Sequence, residues 1–258
     1  MTPRIQDDSE ILSKVPAATA GFWIVKILAT TLGEVGGNLV SMDMGLGYLT
    51  ATVILASVFV SLAAIQILAR RFHSSLYWLT IVASTTAGTT LADYATRSIG
   101  LGYTGGSILL LSLVIASLLT WRFALGRISA DQIADRRTEL FYWITITFSQ
   151  TLGTALGDWF ADTAGLGYWG SAMVISAMLL VVLGLQLRRA VSGVWLFWAA
   201  FVLTRPLGAV LGNFLDKPDH GGLDIDRPLI VSALSILMIL TMIVLPQRAG
   251  HHKLAEPA

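Results

Sequence analysis

The residues with the clearest capacity for chemistry are two carboxylates and two amides at one position of a repeated motif. Each follows a Trp by 15 residues, a Gly by 5 and a second small residue by 1. The four copies comprise Trp23, Gly33, Gly37 and Asn38; Trp78, Gly88, Ala92 and Asp93; Trp143, Gly153, Gly157 and Asp158; and Trp198, Gly208, Gly212 and Asn213. Successive copies lie 55, 65 and 55 residues apart. The repeat therefore places a carboxylate or an amide at equivalent points of four similar segments.

Oxygen ligands of this kind suit hard cations such as Mg²⁺, Mn²⁺ and Ca²⁺, and also Na⁺ or a proton. The residues that we expect to bind an ion are Glu34, Asn38, Asp93, Asp158 and Asn213. Asp93 and Asp158 are the expected metal ligands or proton carriers. Arg205 aligns with Thr30, one turn before Glu34, so an Arg205–Glu34 pair across the axis is expected to set the charge. The three acids and this arginine leave two negative charges, which favours a cation.

Composition predicts the elements that position these side chains. The chain is 55% hydrophobic and 13% charged, whereas a soluble domain is about 25% charged. Apolar runs of about 20 residues are long enough to cross a bilayer. Eight are predicted, at 18–40, 48–69, 76–96, 104–123, 140–161, 169–187, 191–213 and 228–246. The predicted fold class is an all-α integral membrane protein with eight transmembrane helices.

The basic residues are distributed unevenly along this pattern. Most precede the first segment or follow even-numbered ones: Arg4, Lys14, Arg70, Arg71, Arg122, Arg127, Arg136, Arg137, Arg188, Arg189, Arg248 and Lys253. Arg97, Lys217 and Arg227 lie on the other side, while Lys26 is expected to snorkel to the inner edge. The positive-inside rule then places both termini in the cytoplasm. We expect a multi-pass protein of the bacterial inner membrane.

Each repeat contains two crossings, so all four copies share one orientation. Parallel repeats of this kind are related by an axis along the membrane normal, which predicts a pseudo-four-fold or doubled two-fold arrangement. The predicted organisation is a cytoplasmic tail at 1–17, repeats 1 and 2 at 18–125, a cytoplasmic linker with a short surface helix at 126–138, repeats 3 and 4 at 139–247, and a second cytoplasmic tail at 248–258.

Small residues four apart give each odd-numbered segment a smooth face for close helix packing. The glycines expected to pack there are Gly33, Gly37, Gly88, Gly153, Gly157, Gly208 and Gly212. The even-numbered segments are almost wholly aliphatic. We therefore expect the odd helices to surround the axis and the even helices to face lipid, with the four motif Trp residues marking the inner interface.

Two interpretations of the recurring polar position stay open. A charge at the centre of a bilayer costs about 2.5–3.5 kcal/mol on insertion scales, so Asp93 and Asp158 point to a cavity or an ion. Alternatively, these side chains only hydrogen-bond neighbouring helices and cap the outer ends of the odd helices. A third hypothesis is an organic-solute carrier whose path is lined by the motif Trp residues.

Other chemistries have little support in the residues. The chain has no cysteine, which excludes thiolate sites and disulfides. It has no nucleotide-binding or zinc-protease motif, so we expect no enzyme, no cofactor and no nucleic-acid partner. An aspartyl protease using Asp93 and Asp158 lacks any further support. The Gly-Leu-Gly-Tyr turns ending at Tyr48, Tyr103 and Tyr168 are expected to be tight outer turns instead of a potassium-channel filter.

Four segments of the chain resemble a known family. They are 28–48, 84–103, 149–168 and, more loosely, 204–216. The pattern resembles a bacterial family of integral membrane proteins, labelled membrane-anchored proteins, that contain a two-helix repeat of unknown function. The resemblance implies an all-helical membrane fold and brings no substrate.

Together, these patterns favour a secondary transporter or channel-like protein for a small cation, with divalent ions among the candidates. The alternative is a membrane scaffold or sensor whose polar ring only fixes helix packing. Apart from the cation, the one expected partner is the lipid bilayer. The residues leave the direction of transport and the oligomeric state open.

Overall fold

The computed structural model describes residues 13–128, 133 and 135–250. Within these residues the chain forms eight α-helices and no strand. They are α1 (Ala20–Asn38), α2 (Gly47–Leu68), α3 (Ser74–Asp93), α4 (Gly102–Leu125), α5 (Arg136–Asp158), α6 (Gly167–Leu187), α7 (Gly193–Asp216) and α8 (Arg227–Val244). One helix corresponds to each apolar segment predicted from the sequence. The surface helix predicted for the linker falls largely on residues outside the described ranges.

Glycine conformation explains the tight connections at one end of the molecule. Gly45 and Gly47, which flank Leu46 between α1 and α2, have φ values of 68° and 70°. Glycine adopts this left-handed region without the steric penalty that other residues incur. The same pair recurs at Gly100 and Gly102, and these turns are exposed. They are short, exposed connections and do not line the axis.

The odd-numbered helices form a closed ring. α1 contacts α3, α3 contacts α5, α5 contacts α7, and α7 returns to α1. The even-numbered helices pack outside this ring, with α2 against α3, α4 against α5, α6 against α7 and α8 against α1. Each outer helix therefore packs on the ring helix of the following repeat. This confirms the prediction that odd helices surround an axis and even helices lie at the periphery.

The motif glycines allow the ring helices to approach closely. A Cβ added to Gly33 would lie 1.9 Å from Oγ1 of Thr85, and one on Gly208 would lie 2.1 Å from Oγ1 of Thr30. The other contacts follow the same rule: Gly88 faces Gln150, Gly153 faces Arg205, Gly37 faces Thr89, Gly157 faces Ala209, and Gly212 faces Glu34. All seven glycines predicted to pack helices do so, each against the next helix of the ring.

The hydropathy of the helices agrees with their positions. Five described helices are long and apolar enough to cross a membrane: α2, α4, α6, α7 and α8. α1, α3 and α5 are also long, but polar residues buried in the ring lower their hydropathy. Leucine, isoleucine and valine side chains on the peripheral helices are exposed on the outer surface. The chain is a multi-pass helical membrane protein.

Aromatic packing closes one half of the ring, which we call the inner half. Trp78, Trp143 and Trp198 are at most 3% exposed, and the hydroxyls of Tyr77 and Tyr142 are 2.6 Å apart. The expectation that the motif Trp residues form an interface belt is therefore wrong for these three. They point into the protein because the bundle core at this level is built from aromatic rings.

The segment before α1 seals the same end. Ser13, Lys14 and Val15 are buried, and Nζ of Lys14 lies 2.5 Å from Oε2 of Glu139. Pro16 forms an isolated β-bridge with Ala249, so the two ends of the described chain meet here. This part of the predicted N-terminal tail is consequently docked on the bundle.

Candidate functional site

Three layers of equivalent residues occupy the ring, at 7, 11 and 15 residues after the motif Trp. The Arg205 layer contains Thr30, Thr85, Gln150 and Arg205. The Glu34 layer contains Glu34, Thr89, Thr154 and Ala209. The Asp–Asn ring contains Asn38, Asp93, Asp158 and Asn213. Every member is buried, none with more than 3% of its surface exposed. These layers form the candidate site and lie in the half that we call the outer half.

Arg205 contacts the three other helices of the ring. Its Nη1 lies 3.1 Å from Oε2 of Glu34 on α1. Its Nη2 donates to Oγ1 of Thr89 on α3 and to Oγ1 of Thr154 on α5, each at 2.7 Å. The predicted Arg205–Glu34 pair is present, but it joins the neighbouring helices α7 and α1, and Nη2 of the same guanidinium reaches α3 on the opposite side of the ring. A buried ion pair needs such additional hydrogen bonds to offset the loss of hydration.

Glu34 is satisfied by the same network. Its Oε2 also accepts hydrogen bonds from Thr89 at 3.1 Å and from Thr154 at 2.9 Å. The guanidinium and this carboxylate therefore neutralise each other at the centre of the ring. The pair closes the axis at this level.

The Asp–Asn ring lies one turn farther out and is linked around its circumference. Nδ2 of Asn38 donates to Oδ1 of Asn213 at 3.2 Å, and Nδ2 of Asn213 donates to Oδ1 of Asp158 at 3.0 Å. The amides thus connect three members directly. These hydrogen bonds place Asn38, Asn213 and Asp158 side by side around the ring.

Arg97 completes the connection between the two acids. Its Nε lies 3.0 Å from Oδ1 of Asp93, and its Nη2 lies 3.4 Å from Oδ2 of Asp158. From the sequence, Arg97 was predicted to lie beyond the helix and to have no role at the site, and this prediction is wrong. Because Arg97 contacts both acids, the two negative charges expected at the site are reduced to one. A basic residue four positions after Asp93 was the signal that could have identified it.

Arg97 lies in a segment where the helix type changes. α1, α3 and α5 each continue into a five-residue π-helical turn directly after their Asp–Asn ring residue: Leu39–Asp43, Tyr94–Ser98 and Trp159–Thr163. In the alternative interpretation the ring residues would cap the helices, but the helical backbone continues through Asn38, Asp93 and Asp158. π-helical turns occur often at functional sites.

A second charged cluster borders the Asp–Asn ring. Oδ2 of Asp216 accepts hydrogen bonds from Nδ2 of Asn38 at 2.9 Å and from Nε of Arg227 at 2.7 Å. Arg227 also contacts Asp43. Asp216 is buried at the end of α7, where Asn38 and Arg227 donate to it.

Lys217 adds positive charge at the outer mouth. It occupies the position in repeat 4 that Arg97 occupies in repeat 2, and it is half-buried. Burial acts to lower the pKa of Lys217, but the carboxylates of Asp158, Asp93 and Glu34 raise it above its ordinary value. The amine is therefore positively charged and is attracted by the carboxylates of Asp158, Asp93 and Glu34.

Lys26 lies on the inner side of the Arg205 layer. The expected snorkelling to the membrane edge is wrong, because Lys26 is 0% exposed. Its Nζ lies 3.8 Å from the centre of the Phe201 ring and 3.5 Å from the Phe201 carbonyl oxygen. Helix α7 packs over this part of α1 and covers the side chain.

The described residues contain no group of three or more His, Asp or Glu side chains placed to hold a metal ion. Asp93 and Asp158, the predicted metal ligands, supply two carboxylates, and the amides of the ring supply neutral oxygens. Divalent-metal binding here stays a prediction.

One cavity lies away from this site. Its volume is about 620 Å³, and it opens between α1, α6 and α7 beside Trp23, Leu179 and Phe197. The lining is mostly apolar. Of the four motif Trp residues only Trp23 lines it, whereas the solute-carrier hypothesis expected all four along the path.

A family model covers most of the chain. It is the Repeat of Unknown Function (DUF347), and it matches residues 21–72, 76–126, 141–192 and 196–249. The chain belongs to this repeat family. Each match includes one ring helix and the peripheral helix that follows it. This agrees with the resemblance expected from the motif. No curated protein and no solved structure matches the chain.

Proposed function

We propose that this protein is a secondary transporter or channel-like protein for a small cation in the bacterial inner membrane. All eight helices then cross the bilayer in four parallel repeats, with both termini in the cytoplasm. The Pro16–Ala249 bridge supports this orientation because it joins the two ends of the chain on one side. That side also carries most of the basic residues, as the positive-inside rule requires.

The observation that carries the proposal is the pair of acids in the Asp–Asn ring. The side chains of Asp93 and Asp158 are only 3% and 4% exposed, while that of Arg97, which covers them, is 33% exposed. Buried carboxylates in a membrane are costly and generally serve an ion or a proton path. A cation that replaces Arg97 from the outer side would meet both acids.

The Arg205–Glu34 pair lies on the inner side of the Asp–Asn ring and would block the movement of a cation along the axis. In the described conformation it fills the axis, and the aromatic inner half lies beneath it. Passage would therefore require the inner half to open after the outer site is occupied, as in alternating access. No nucleotide-binding motif is present, so the transport would be passive or coupled to an ion gradient.

A scaffold or sensor is the rival function, and the glycine contacts favour it. Gly33, Gly153 and Gly208 pack so tightly on the next helix that the ring resembles a rigid core. Under this alternative, the polar layers stabilise the ring and conduct nothing.

Cation flux into liposomes containing the purified protein distinguishes the two functions. We expect the wild-type protein to conduct at least one of H⁺, Na⁺, Mg²⁺, Mn²⁺, Ca²⁺ and small organic cations, and Asp93→Asn combined with Asp158→Asn to abolish that flux. Asp224→Asn is the matched control, since Asp224 is an exposed outer-loop acid with a φ of 52° that asparagine tolerates. Unchanged flux in the double variant would contradict the proposal, and no flux of any cation in the wild-type protein would favour the scaffold.

A further inference from the structure

The acid pair of the Asp–Asn ring already holds a cation of defined chemistry. Arg97 presents a planar guanidinium whose Nε and Nη2 each donate to a different carboxylate. Its Cζ lies 5.6 Å from the centre of the Tyr103 ring, within the range of a cation–π contact. The head group is thus recognised through directional N–H donors and an aromatic face.

Two buried acceptors beside the ring add to this recognition surface. Oδ1 of Asn38 and Oδ1 of Asp216 are buried and accept no hydrogen bond within the described residues. A buried acceptor without a donor costs about 1–3 kcal/mol. Asn38 belongs to the Asp–Asn ring, and its Nδ2 joins it to both Asn213 and Asp216. Both oxygens would be satisfied by a ligand that carries several N–H groups.

The surroundings are less suited to a divalent metal ion. No third acid or histidine joins Asp93 and Asp158 in a ligand group among the described residues. Arg97 and Lys217 also place positive charge at the mouth through which the ion would enter. Coulomb's law doubles both the repulsion of a divalent ion by these cations and its attraction to the two acids, so the preference for a monovalent cation rests on the small number of acid ligands and on the acceptors suited to N–H groups.

We propose that the site takes a monovalent organic cation with a guanidinium or primary ammonium group, and that Arg97 is a tethered occupant which this substrate displaces. The inference rests on the proposed transport function for its physiological meaning. In the described conformation Arg97 contacts both acids and offsets one of their two negative charges. When Arg97 moves into the outer water, the acid pair and the two free acceptors become available to the substrate.

While Arg97 occupies the site, the substrate cannot bind there. The apparent affinity for the substrate is therefore lower than the affinity of the unoccupied site. If Arg97 fills the site about nine-tenths of the time, its removal tightens the apparent affinity about tenfold. Arg97→Ala should therefore bind guanidinium better than the wild-type protein does. The opposite is expected if Arg97 only stabilises the fold.

Binding to purified protein tests this directly, using guanidinium, methylammonium, Na⁺ and Mg²⁺ chlorides at millimolar concentration. Calorimetry and thermal shift should detect guanidinium and methylammonium binding to Arg97→Ala about tenfold more tightly than to the wild-type protein. Na⁺ and Mg²⁺ should give no comparable effect. Arg97→Gln repeats the test with a longer neutral side chain, and Arg71→Ala, an exposed arginine elsewhere, should behave like the wild-type protein.

The outcomes separate this inference from the transport proposal. Tight guanidinium binding that disappears when Asp93→Asn and Asp158→Asn are added to Arg97→Ala supports the inference, even if no cation crosses the membrane. No organic-cation binding by either Arg97 variant overturns it. Stronger binding of Mg²⁺ than of guanidinium also overturns it, while a flux of Mg²⁺ that needs the two acids would leave the transport proposal standing.

Discussion

The outer and inner halves of the same four-helix ring differ sharply in chemistry. In the outer half, three successive layers carry Arg205, Glu34 and the pair of Asp93 and Asp158, each of which makes an ion pair. In the inner half, the position three residues after the motif Trp carries Lys26, Ile81, Ile146 and Phe201, all 0% exposed. One backbone repeat therefore supports a polar site and an apolar seal along one axis.

The comparison also separates what the repeats share from what they do not. The glycine contacts recur around the whole ring, so the backbone is close to four-fold symmetric. The charges are not, since the arginine of the Arg205 layer is found only in repeat 4 and the acid of the Glu34 layer only in repeat 1. The backbone contacts shared by the repeats position the four helices. The site is created by residues that differ between repeats at equivalent positions.

The largest expected effect comes from blocking the close contact between ring helices. It tests whether the outer and inner halves both depend on this contact. Gly153→Leu should prevent the ring from closing, because a Cβ at this position would lie 2.0 Å from Cγ of Arg205. We expect loss of monodisperse folded protein in detergent, judged by size-exclusion chromatography. Gly184→Leu is the control, as nothing lies within 4 Å of an added Cβ there. Equal behaviour of the two variants would show that the ring does not need close approach.

The next effect concerns the boundary between the halves. Glu34→Gln leaves the buried guanidinium of Arg205 without its carboxylate, which should destabilise the protein by about 3–5 kcal/mol. Adding Arg205→Gln should recover part of this loss, because Gln150 already occupies the equivalent position in repeat 3. Denaturant unfolding of the two single variants and the double variant measures the coupling. Additive losses would mean that the pair does not act as a unit.

A smaller effect is expected at the inner end, where charge supports a helix terminus. Asp135 accepts hydrogen bonds from the backbone N–H groups of Arg137 and Thr138, so Asp135→Ala should cost about 1 kcal/mol. Partial burial acts to raise the pKa of Asp135, but the hydrogen bonds from Thr138 and Arg137 hold it below its ordinary value.

A lowered pKa in the folded state fixes the sign of the pH dependence. The contribution of Asp135 is present above its unfolded-state pKa and is lost as the pH falls through the folded-state pKa. The stability difference between the wild-type protein and Asp135→Ala should therefore shrink under acid conditions. A difference that grows on acidification would refute this role of the side chain.

Much of this architecture could be predicted from the sequence because it depends on short-range patterns. Apolar length located all eight helices, and the four-residue spacing of Gly33 and Gly37 identified the packing face. The shared depth of Asp93 and Asp158 followed from the motif alone. These features repeat, so each copy supported the others.

The remainder depended on geometry that the motif does not contain. The π-helical turns after Asn38, Asp93 and Asp158 were not predicted from the residues, and Arg97 lies in one of them. Lys26 was placed at the membrane edge because hydropathy treats a lysine near a segment end as solvated, whereas packing of α7 covers it. Trp78, Trp143 and Trp198 are buried because they lie on the helix faces that point into the ring. The sequence pattern alone does not identify those faces.

The most direct test of the central claim, that the outer half admits cations to the acid pair while the inner half stays sealed, uses cysteine accessibility. The chain has no cysteine, so Arg97→Cys and Ile81→Cys each introduce a single thiol. Impermeant methanethiosulfonates bearing either a trimethylammonium or a sulfonate group are applied to the purified protein. We predict that the cationic reagent modifies Arg97→Cys at least about tenfold faster than the anionic one, because both acids attract it, and that neither modifies Ile81→Cys. Equal rates for the two reagents at position 97, or rapid modification at position 81, would contradict the account.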